Sequence, residues 1–403
     1  MVRGVKMNAS LALLSTIVVT LLLMRKIGVG LSLIIGSALL SLLIFGSNGL
    51  VILVANFVSI ETLRIVVIVI LAFTLGYSME YFGMLERLSK AVSNIFGGLS
   101  FLIIPLLVGL LPMPGGALIS AVMLKSLVKK YALNAEKATF LNHWYRHIWV
   151  TVWPIYPSVI IGAAVLETNY LTFISATVPI AFLAFFSGLI WTRGMEKKFN
   201  FDLNDFAVIL RTMYPIFLVA TLTLLFRLDL LVTLLTSLII LFLQHRSKVE
   251  DLTNILRKTV DLKIILLVFA VMGYKAIITI SGAAEALFED LSELSIPYSV
   301  AAFLITFLVS FSTGIELSYT SVALPLFLKF TGVGSAIVPE NLMFIISAGF
   351  LGVMLSPMHL CYILTAEYFK ANFSRCYIFI LPVSLMVLVG ILTIFSLHTL
   401  PQV

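Results

Sequence analysis

Charged residues are scarce in this sequence. Only 11% of its 403 residues are Asp, Glu, Lys or Arg, whereas 61% are hydrophobic. An ordinary water-soluble domain carries about 25% charged residues, so the composition excludes that class. The apolar residues form runs of about twenty, which is the length of helix that crosses a lipid bilayer. We therefore predict an all-α, polytopic membrane protein.

Acidic residues and cysteines are rarer still. The chain has 19 Asp and Glu against 26 Lys and Arg, a formal net charge of +7, and only two cysteines. Two cysteines exclude a disulfide framework. The Lys and Arg residues lie at the ends of apolar runs, where they orient membrane helices, so we expect the lipid bilayer and no nucleic acid as a partner. The polar stretches are too short to bury a core of their own, which confines any chemistry to the helix bundle.

The two halves of the chain resemble each other. The stretch "ETLRIVVIVILAFTLGY" aligns with "VDLKIILLVFAVMGY". Further along, "LLPMPGGALIS" aligns with "VSFSTGIELS", and "VTVWPIYPS" aligns with "GVMLSPMHL". Self-similarity of this kind indicates an internal repeat. We predict one repeat over residues 1–195 and a second over 206–403, joined in one integrated membrane domain.

Each predicted repeat contains a segment broken at its centre, followed by a helix that proline interrupts. The broken segments cover 100–131 and 297–329, and the interrupted helices cover 139–166 and 341–368. Proline removes a helix hydrogen bond, and glycine weakens a helix interior. We interpret the broken segments as re-entrant hairpins beside about ten membrane-spanning helices. Each repeat then crosses the membrane an odd number of times, which inverts the second repeat relative to the first.

The basic residues support this topology. With re-entrant hairpins, most Lys and Arg residues collect on one face, and the positive-inside rule makes that face cytoplasmic. Both termini then lie outside the cell (plasma) membrane. Arg3 and Lys6 alone favour the opposite orientation of the N-terminus.

Inverted repeats with interrupted helices are typical of secondary transporters, in which half-helix ends point at substrate and ions near the membrane midplane. Glycine lets the backbone approach a ligand, and a helix N-terminus attracts anions. An intramembrane arginine is a further candidate, although Arg146 could still snorkel to the cytoplasm. The predicted substrate-binding residues are Pro114, Gly115, Gly116, Arg146, Ser312, Thr313 and Gly314.

The proline interruptions leave backbone carbonyl groups that could bind a coupling cation. His359 is a candidate for proton coupling, because imidazole titrates near physiological pH. Lys275 and Glu316 are predicted to pair at mid-membrane, since an isolated charge there is costly. The predicted coupling-ion or proton residues are Trp153, Pro154, Lys275, Glu316, Ser356, Pro357 and His359.

His143 and His147 are four residues apart, a spacing that can hold a metal on one face of a helix. No carboxylate or cysteine accompanies them in the sequence. We therefore interpret them as hydrogen-bonded histidines near the membrane interface. We predict no metal site and no cofactor, with a sodium ion or a proton as the possible coupling ion.

The stretches "LLPMPGGAL", "NHWYRHIW" and "SPMHLC" resemble an integral membrane family of archaea and bacteria without assigned function. Over nearly the whole chain, the pattern resembles the ion transporter superfamily, whose members carry gluconate, lactate, citrate, dicarboxylates or, in other branches, arsenite, sodium or protons. The resemblance implies an elevator-like mechanism and a homodimer. Sodium-coupled dicarboxylate members have Ser-Asn-Thr at both hairpin tips, whereas residues 114–116 read Pro-Gly-Gly and 312–314 read Ser-Thr-Gly. Their sodium sites and their carboxylate specificity therefore do not carry over residue by residue.

These patterns predict a secondary active transporter, not an enzyme, that moves a small organic anion of the carboxylate type with sodium or protons. The alternative is a cation/proton antiporter on the same fold, which needs an essential intramembrane carboxylate such as Glu316. A membrane-embedded enzyme with a metal at His143 and His147 is a second alternative. An enzyme has no need for two inverted broken-helix elements, so the repeat argues against it.

Overall fold

The computed structural model describes residues 9–57, 59–113, 115–193, 195, 199–334 and 336–399. Over these residues the chain is helical and contains no β-strand, which confirms the prediction of an all-α protein. A lipid interior offers the backbone no hydrogen-bond partner. A membrane-embedded chain therefore satisfies its own N–H and C=O groups by forming helices.

The α-helices are numbered in chain order. The first half of the chain forms α1 (Ala9–Ile27), α2 (Val29–Phe45), α3 (Ser47–Phe57), α4 (Ile60–Tyr81), α5 (Met84–Phe96), α6 (Ser100–Val108), α7 (Gly116–Lys130), α8 (Ala135–Arg146), α9 (Pro157–Val165) and α10 (Tyr170–Gly188). The second half forms α11 (Leu203–Ala220), α12 (Leu230–Gln244), α13 (Val249–Thr259), α14 (Leu262–Ser281), α15 (Ala283–Glu293), α16 (Tyr298–Thr313), α17 (Leu328–Thr331), α18 (Pro339–Leu355), α19 (Leu360–Phe369) and α20 (Phe373–Thr399).

Membrane-length helices occur along most of the chain, which makes this a multi-pass membrane protein. Within the described ranges, seven helical stretches are long and apolar enough to cross a membrane: Ile60–Tyr81, Met84–Val108, Tyr170–Thr192, Leu203–Leu225, Leu262–Ser281, Pro339–Phe369 and Phe373–His398. The predicted number of spans is higher because it also counts shorter apolar helices, such as α2 and α12.

Helices are interrupted inside the segments for which sequence patterns predict a break. The segment 100–131 contains α6, α7 and the gap between them, 139–166 includes the gap between α8 and α9, and 341–368 includes the gap between α18 and α19. Each gap contains proline or glycine, the residues that least favour a helix interior. Local residue chemistry therefore decides where these helices stop.

The segment 297–329 differs from a pair of simple α-helices. Its first limb is α16, which Gly314 caps with a left-handed φ of 65°. The returning limb is a π-helix over Tyr319–Ala323, a 3₁₀-helix over Leu324–Phe327 and the short α17. The proline in the 3₁₀ segment lacks the N–H group that a regular α-helix would use.

The chain folds into two compact units, each built from separated stretches. Unit 1 comprises the described residues of Met1–Val67, Ile160–Ala176 and Asp261–Ser356. Unit 2 comprises those of Ile68–Val159, Thr177–Val260 and Pro357–Val403. Each unit thus takes segments from both predicted repeats.

Unit 1 contains α14 packed against α2 and α3, and α16 packed against α18. Glycine permits the closest of these contacts. A Cβ on Gly352 would lie 2.6 Å from the carbonyl oxygen of Phe307 and 2.8 Å from the Cβ of Ser310. Small residues at helix contacts are typical of membrane proteins, because they let backbones approach each other.

Unit 2 surrounds α8. This helix contacts α6, α7, α19 and α20, and all its residues from Ala138 to Arg146 are buried. The polar side chains of α8 are therefore enclosed by the protein, where each needs a partner or a ligand.

Candidate functional site

Hairpin 1, defined as residues 100–130 from the start of α6 to the end of α7, forms one side of the candidate site. Gly115 has a left-handed φ of 77°, which turns the chain into α7 at Gly116. A side chain in this conformation is strained by about 1–2 kcal/mol. The hairpin tip thereby presents the N-terminus of α7, with its amide groups and the positive end of the helix dipole. Pro114, a predicted substrate contact, lies outside the described residues.

The guanidinium of Arg146 lies against this N-terminus. Arg146 is the last residue of α8 and is only 3% exposed, so it does not snorkel to the surface. A Cβ built on Gly116 would collide with its Nη2 atom and would lie 2.9 Å from its Cζ atom. Glycine at 116 is therefore what gives the guanidinium its place at the hairpin tip. The structure brings together Gly115, Gly116 and Arg146, all predicted as substrate contacts.

Arg146 has few partners for its charge. Nη2 donates one long hydrogen bond of 3.5 Å to the carbonyl of Met113, and Nε has no hydrogen-bond partner within the described ranges. In the part of the chain that the structure describes, no carboxylate forms an ion pair with Arg146. An unpaired buried charge costs several kcal/mol. An anion bound here would relieve that cost, so the guanidinium is suited to hold one.

Gly109 brings the hairpin against the end of α8, and Tyr156 ties it to the residues before α9, although neither was predicted as a site residue. The Tyr156 hydroxyl donates to the carbonyl of Gly109 at 2.7 Å. Gly109 lies so close to the Arg146 backbone that an added Cβ would collide with the carbonyl oxygen of Arg146. The available signal was a glycine within an apolar run, which indicates close backbone approach.

Asn142 is a second position that sequence reasoning missed. Its Nδ2 atom donates to the carbonyl of Ala117 at 2.9 Å and to Oγ1 of Thr365 at 3.0 Å. The side chain thus ties α7 and α19 to α8. An asparagine inside an apolar helix is itself a signal, because its amide requires partners.

Trp153 and Pro154 lie in the gap between α8 and α9. Pro154 is buried and Trp153 is half-buried. Local hydrogen bonds bridge the gap: the Trp153 N–H donates to the Trp149 carbonyl, and the Tyr156 N–H donates to the Trp153 carbonyl, both at 2.9 Å. The Trp153 carbonyl, which lies in the predicted cation-binding stretch, therefore already accepts one hydrogen bond.

Ser356, Pro357 and His359 form the gap between α18 and α19. Ser356 is the last residue of unit 1, and its hydroxyl donates to the carbonyl of Phe311 at 2.6 Å. Pro357 is exposed and begins unit 2. His359 is only 4% exposed and immediately precedes α19. The three residues, predicted as one coupling element, therefore have different environments.

Three buried histidines meet in unit 2, and we call His143, His147 and His359 the histidine cluster. Their potential ligand atoms all lie within 4.8 Å of one another. The Nε2 atoms of His147 and His359 are 3.1 Å apart. The first two were predicted as hydrogen-bonded histidines, and both are fully buried within the protein. His359 is 212 positions from His147, so no local spacing could reveal the third member.

Hairpin 2, defined as residues 297–329, has its tip at residues 312–314, where α16 ends in unit 1. The Ser312 hydroxyl donates to the carbonyl of Val309 at 3.1 Å. The Thr313 hydroxyl donates to the same carbonyl at 2.9 Å and to Oγ of Ser318 at 3.0 Å. These hydroxyl groups thus make local hydrogen bonds that close the end of the helix.

Lys275 has a different partner from the one predicted. Its Nζ atom lies 3.0 Å from Oε1 of Glu167 and donates to the carbonyl of Ala164 at 2.9 Å. Glu167 follows α9 with a left-handed φ of 52°, which places it at the helix end beside the lysine. Glu316 is half-buried in the turn that follows the tip of hairpin 2. The predicted Lys275–Glu316 pair is therefore wrong, because depth along a helix does not determine the direction of a side chain.

Among solved structures, the chain is similar to the Alcanivorax borkumensis YdaH transporter, whose crystal structure is described as revealing an unusual topology. The match has a TM-score of 0.63 and 15% sequence identity, and it covers 97% of this chain and 98% of that chain. At this identity the likeness concerns the fold. No curated protein matches the chain. The family described as "Protein of unknown function (DUF401)" matches residues 7–397, and the chain belongs to that family.

Proposed function

We propose that this protein is a secondary active transporter that moves a small organic anion of the carboxylate type, coupled to sodium ions or protons. The fold shared with the YdaH transporter supports transport in preference to enzymatic catalysis. The observation that supports an anionic substrate is the Arg146 guanidinium, which is 3% exposed and whose Nε atom has no hydrogen-bond partner among the residues that the structure describes.

In this proposal, Arg146 and the N-terminus of α7 bind one carboxylate together. A guanidinium presents two parallel N–H groups that match the two oxygens of a carboxylate. Helix N-terminal amides and the helix dipole favour the same negative charge. The interaction is stronger in the buried site than in water, because the local dielectric constant is lower. Gly116 leaves room for both groups to reach one anion.

The remaining parts of the mechanism belong to the same proposal. We infer two inverted repeats, re-entrant hairpins and elevator-like movement in a homodimer, as the resemblance to the ion transporter superfamily implies. Residues 312–314 would supply further substrate contacts, and the two helix gaps would supply the coupling-ion site. The protein would reside in the plasma membrane with both termini outside, as the basic residues favour.

Uptake into proteoliposomes tests this proposal. Purified protein is reconstituted, and the entry of radiolabelled lactate, gluconate, citrate and succinate is measured with an inward sodium gradient or an inward proton gradient. We expect one of these gradients to drive uptake of at least one carboxylate, and Arg146→Gln to abolish it. The matched control is Arg87→Gln, since Arg87 is an exposed residue of α5 in the same unit. Failure of every carboxylate to enter, or full uptake by Arg146→Gln, contradicts the proposal.

The same vesicles distinguish the antiporter alternative. A trapped pH-sensitive dye reports whether a sodium gradient moves protons when no organic anion is present. We expect no such proton movement. Proton movement that requires Glu316 and no organic anion would instead establish cation/proton antiport on this fold.

A further inference from the structure

The histidine cluster is built on two elements that pack against each other. His143 and His147 lie four positions apart at the end of α8, and His359 precedes α19, which contacts α8. All belong to unit 2. Each is at most 4% exposed. Convergence of three buried imidazole rings needs a reason, because each ring carries two polar nitrogen atoms into the interior.

The distances within the cluster suit a metal ion. Two nitrogen atoms that bind one tetrahedral zinc at about 2.0–2.1 Å lie about 3.3 Å apart. The Nε2 atoms of His147 and His359 are 3.1 Å apart, and a ligand atom of His143 lies within 4.8 Å of both. To bind the same ion, the nitrogen of His143 must approach the other two to about 3.3 Å.

Hydrogen bonding sets the orientation of one ring. Nδ1 of His147 is 2.5 Å from the backbone carbonyl of His143, so this nitrogen carries the proton and donates it to that carbonyl. In a neutral ring the lone pair then belongs to Nε2, the atom that faces His359. A backbone carbonyl that holds the second nitrogen of a ligating histidine is the usual outer-shell arrangement around protein metal sites.

The walls of the cluster limit which metals fit. The ring of Tyr362 lies 5.2 Å from that of His143, but its hydroxyl donates to the carbonyl of Phe373 and is not a ligand here. Three neutral imidazole nitrogens suit zinc, copper or nickel, whereas calcium and magnesium require oxygen ligands. Three protein ligands also leave a fourth position for water or an anion.

We propose that His143, His147 and His359 bind one divalent transition-metal ion, of the zinc type, through their ring nitrogens. The bound ion would join α8 to the start of α19 within unit 2. The proposal concerns metal binding alone and does not depend on which substrate the protein transports.

Titration of purified protein with metal tests the site. The full chain is prepared with any affinity tag removed, treated with EDTA and then dialysed. Zn²⁺ binding is measured by calorimetry, and Co²⁺ is used as a probe because its visible absorption reports tetrahedral coordination. We expect one Zn²⁺ per chain and a tetrahedral Co²⁺ spectrum, with no comparable binding of Mg²⁺.

Variants assign the ligands. His359→Gln should weaken Zn²⁺ binding by more than about 100-fold, since even outer-shell partners are worth about 10- to 100-fold. His143→Cys should retain binding, because a thiolate is also a zinc ligand. His398→Gln is the matched control, since His398 is exposed on α20 in the same unit and should bind metal as the wild type does.

Two results would overturn the proposal. One is a wild-type protein that neither binds Zn²⁺ nor gives a tetrahedral Co²⁺ spectrum, an outcome that does not depend on any variant folding. The other is equal Zn²⁺ binding by the wild type and by His359→Gln. Either result leaves the proposed anion site at Arg146 standing, because carboxylate uptake is measured separately.

Discussion

Two buried basic residues, one in each unit, have contrasting surroundings. In unit 1, the ammonium group of Lys275 lies 3.0 Å from a carboxylate oxygen of Glu167 and 2.9 Å from the carbonyl of Ala164. In unit 2, the guanidinium of Arg146 makes one hydrogen bond of 3.5 Å to the described residues, among which its Nε atom has no partner. Both residues were singled out from the sequence because each is a charge within an apolar run, Arg146 as a substrate contact and Lys275 as the partner of Glu316.

The contrast shows that the partners of a buried charge, and not the charge itself, indicate a ligand site. Lys275 is compensated by its own chain, and Glu167 carries the pair to the surface, since its side chain is 73% exposed. The lysine therefore stabilises the fold around the end of α9. Arg146 lacks such compensation, which is the condition expected of a group that awaits an anion.

The largest expected effect is that of Arg146→Met on transport. Uptake of the carboxylate should fall by about 100-fold or more, because losing one partner of a buried charge pair costs about 2–5 kcal/mol. The melting temperature without substrate should stay equal or rise, since the variant no longer buries an unpaired charge. Initial uptake rates and thermal melts measure the two effects. Undiminished transport by Arg146→Met would show that Arg146, like Lys275, does not bind the substrate.

Adjacent glycines sharpen the assignment of the site. Gly116→Ala places a Cβ against the guanidinium and should reduce uptake at least 10-fold, about 1.4 kcal/mol or more. A Cβ added at Gly115 would meet no described atom within 4 Å, but the backbone there has a φ of 77°. Gly115→Ala should therefore lower the free energy of unfolding by about 1–2 kcal/mol, while the folded protein still transports. Uptake is divided by the amount of folded protein, which size-exclusion chromatography measures. The reverse pattern would place the site away from Arg146.

Lys275→Met should act on stability and leave transport intact. It removes the hydrogen bond to the Ala164 carbonyl and the pair with Glu167, at an expected cost of about 1–2 kcal/mol. Glu167→Gln should cost less than about 1 kcal/mol, because that carboxylate is exposed and solvated. Chemical unfolding of the two variants in detergent compares these costs. A loss of uptake per folded molecule in Lys275→Met would mean that Lys275 also contacts the substrate or its coupling ion.

The smallest expected effect is that of Thr313→Val at the tip of hairpin 2. The variant loses local hydrogen bonds worth about 1 kcal/mol, and uptake by the folded protein should fall less than about 10-fold. The same uptake assay compares it with Arg146→Met. An equal loss in both variants would give the hydroxyl at hairpin 2 the same weight in binding as the guanidinium at hairpin 1.

The helix interruptions were predictable from sequence because their cause is local. Proline lacks the N–H group of a helix interior, and glycine adopts the left-handed φ seen at Gly115 and Gly314. Arg146 and the hairpin tip were assigned to the same substrate site from the sequence, but it was not predicted that they are in contact. Its contact with Gly116 depends on how α8 packs against α7, which residue spacing does not determine.

Contacts between distant parts of the chain account for what the sequence did not reveal. His359 completes a cluster with two residues more than two hundred positions earlier, and Glu167 replaces Glu316 as the partner of Lys275. Helix rise predicts depth in a membrane, but it does not specify which side chains face each other. Which side chains face each other is set by the tertiary packing of helices within each unit.

Carboxylate binding to the purified protein tests the central claim most directly. The melting temperature is measured with lactate, gluconate, citrate and succinate for the wild type, Arg146→Gln and the control Arg87→Gln. A ligand at about 100 times its Kd stabilises the folded state by about 2.7 kcal/mol, so we expect at least one carboxylate to raise the melting temperature of the wild type and of Arg87→Gln but not of Arg146→Gln. Equal stabilisation of all three proteins, or of none, would contradict the assignment of Arg146 as the anion-binding group.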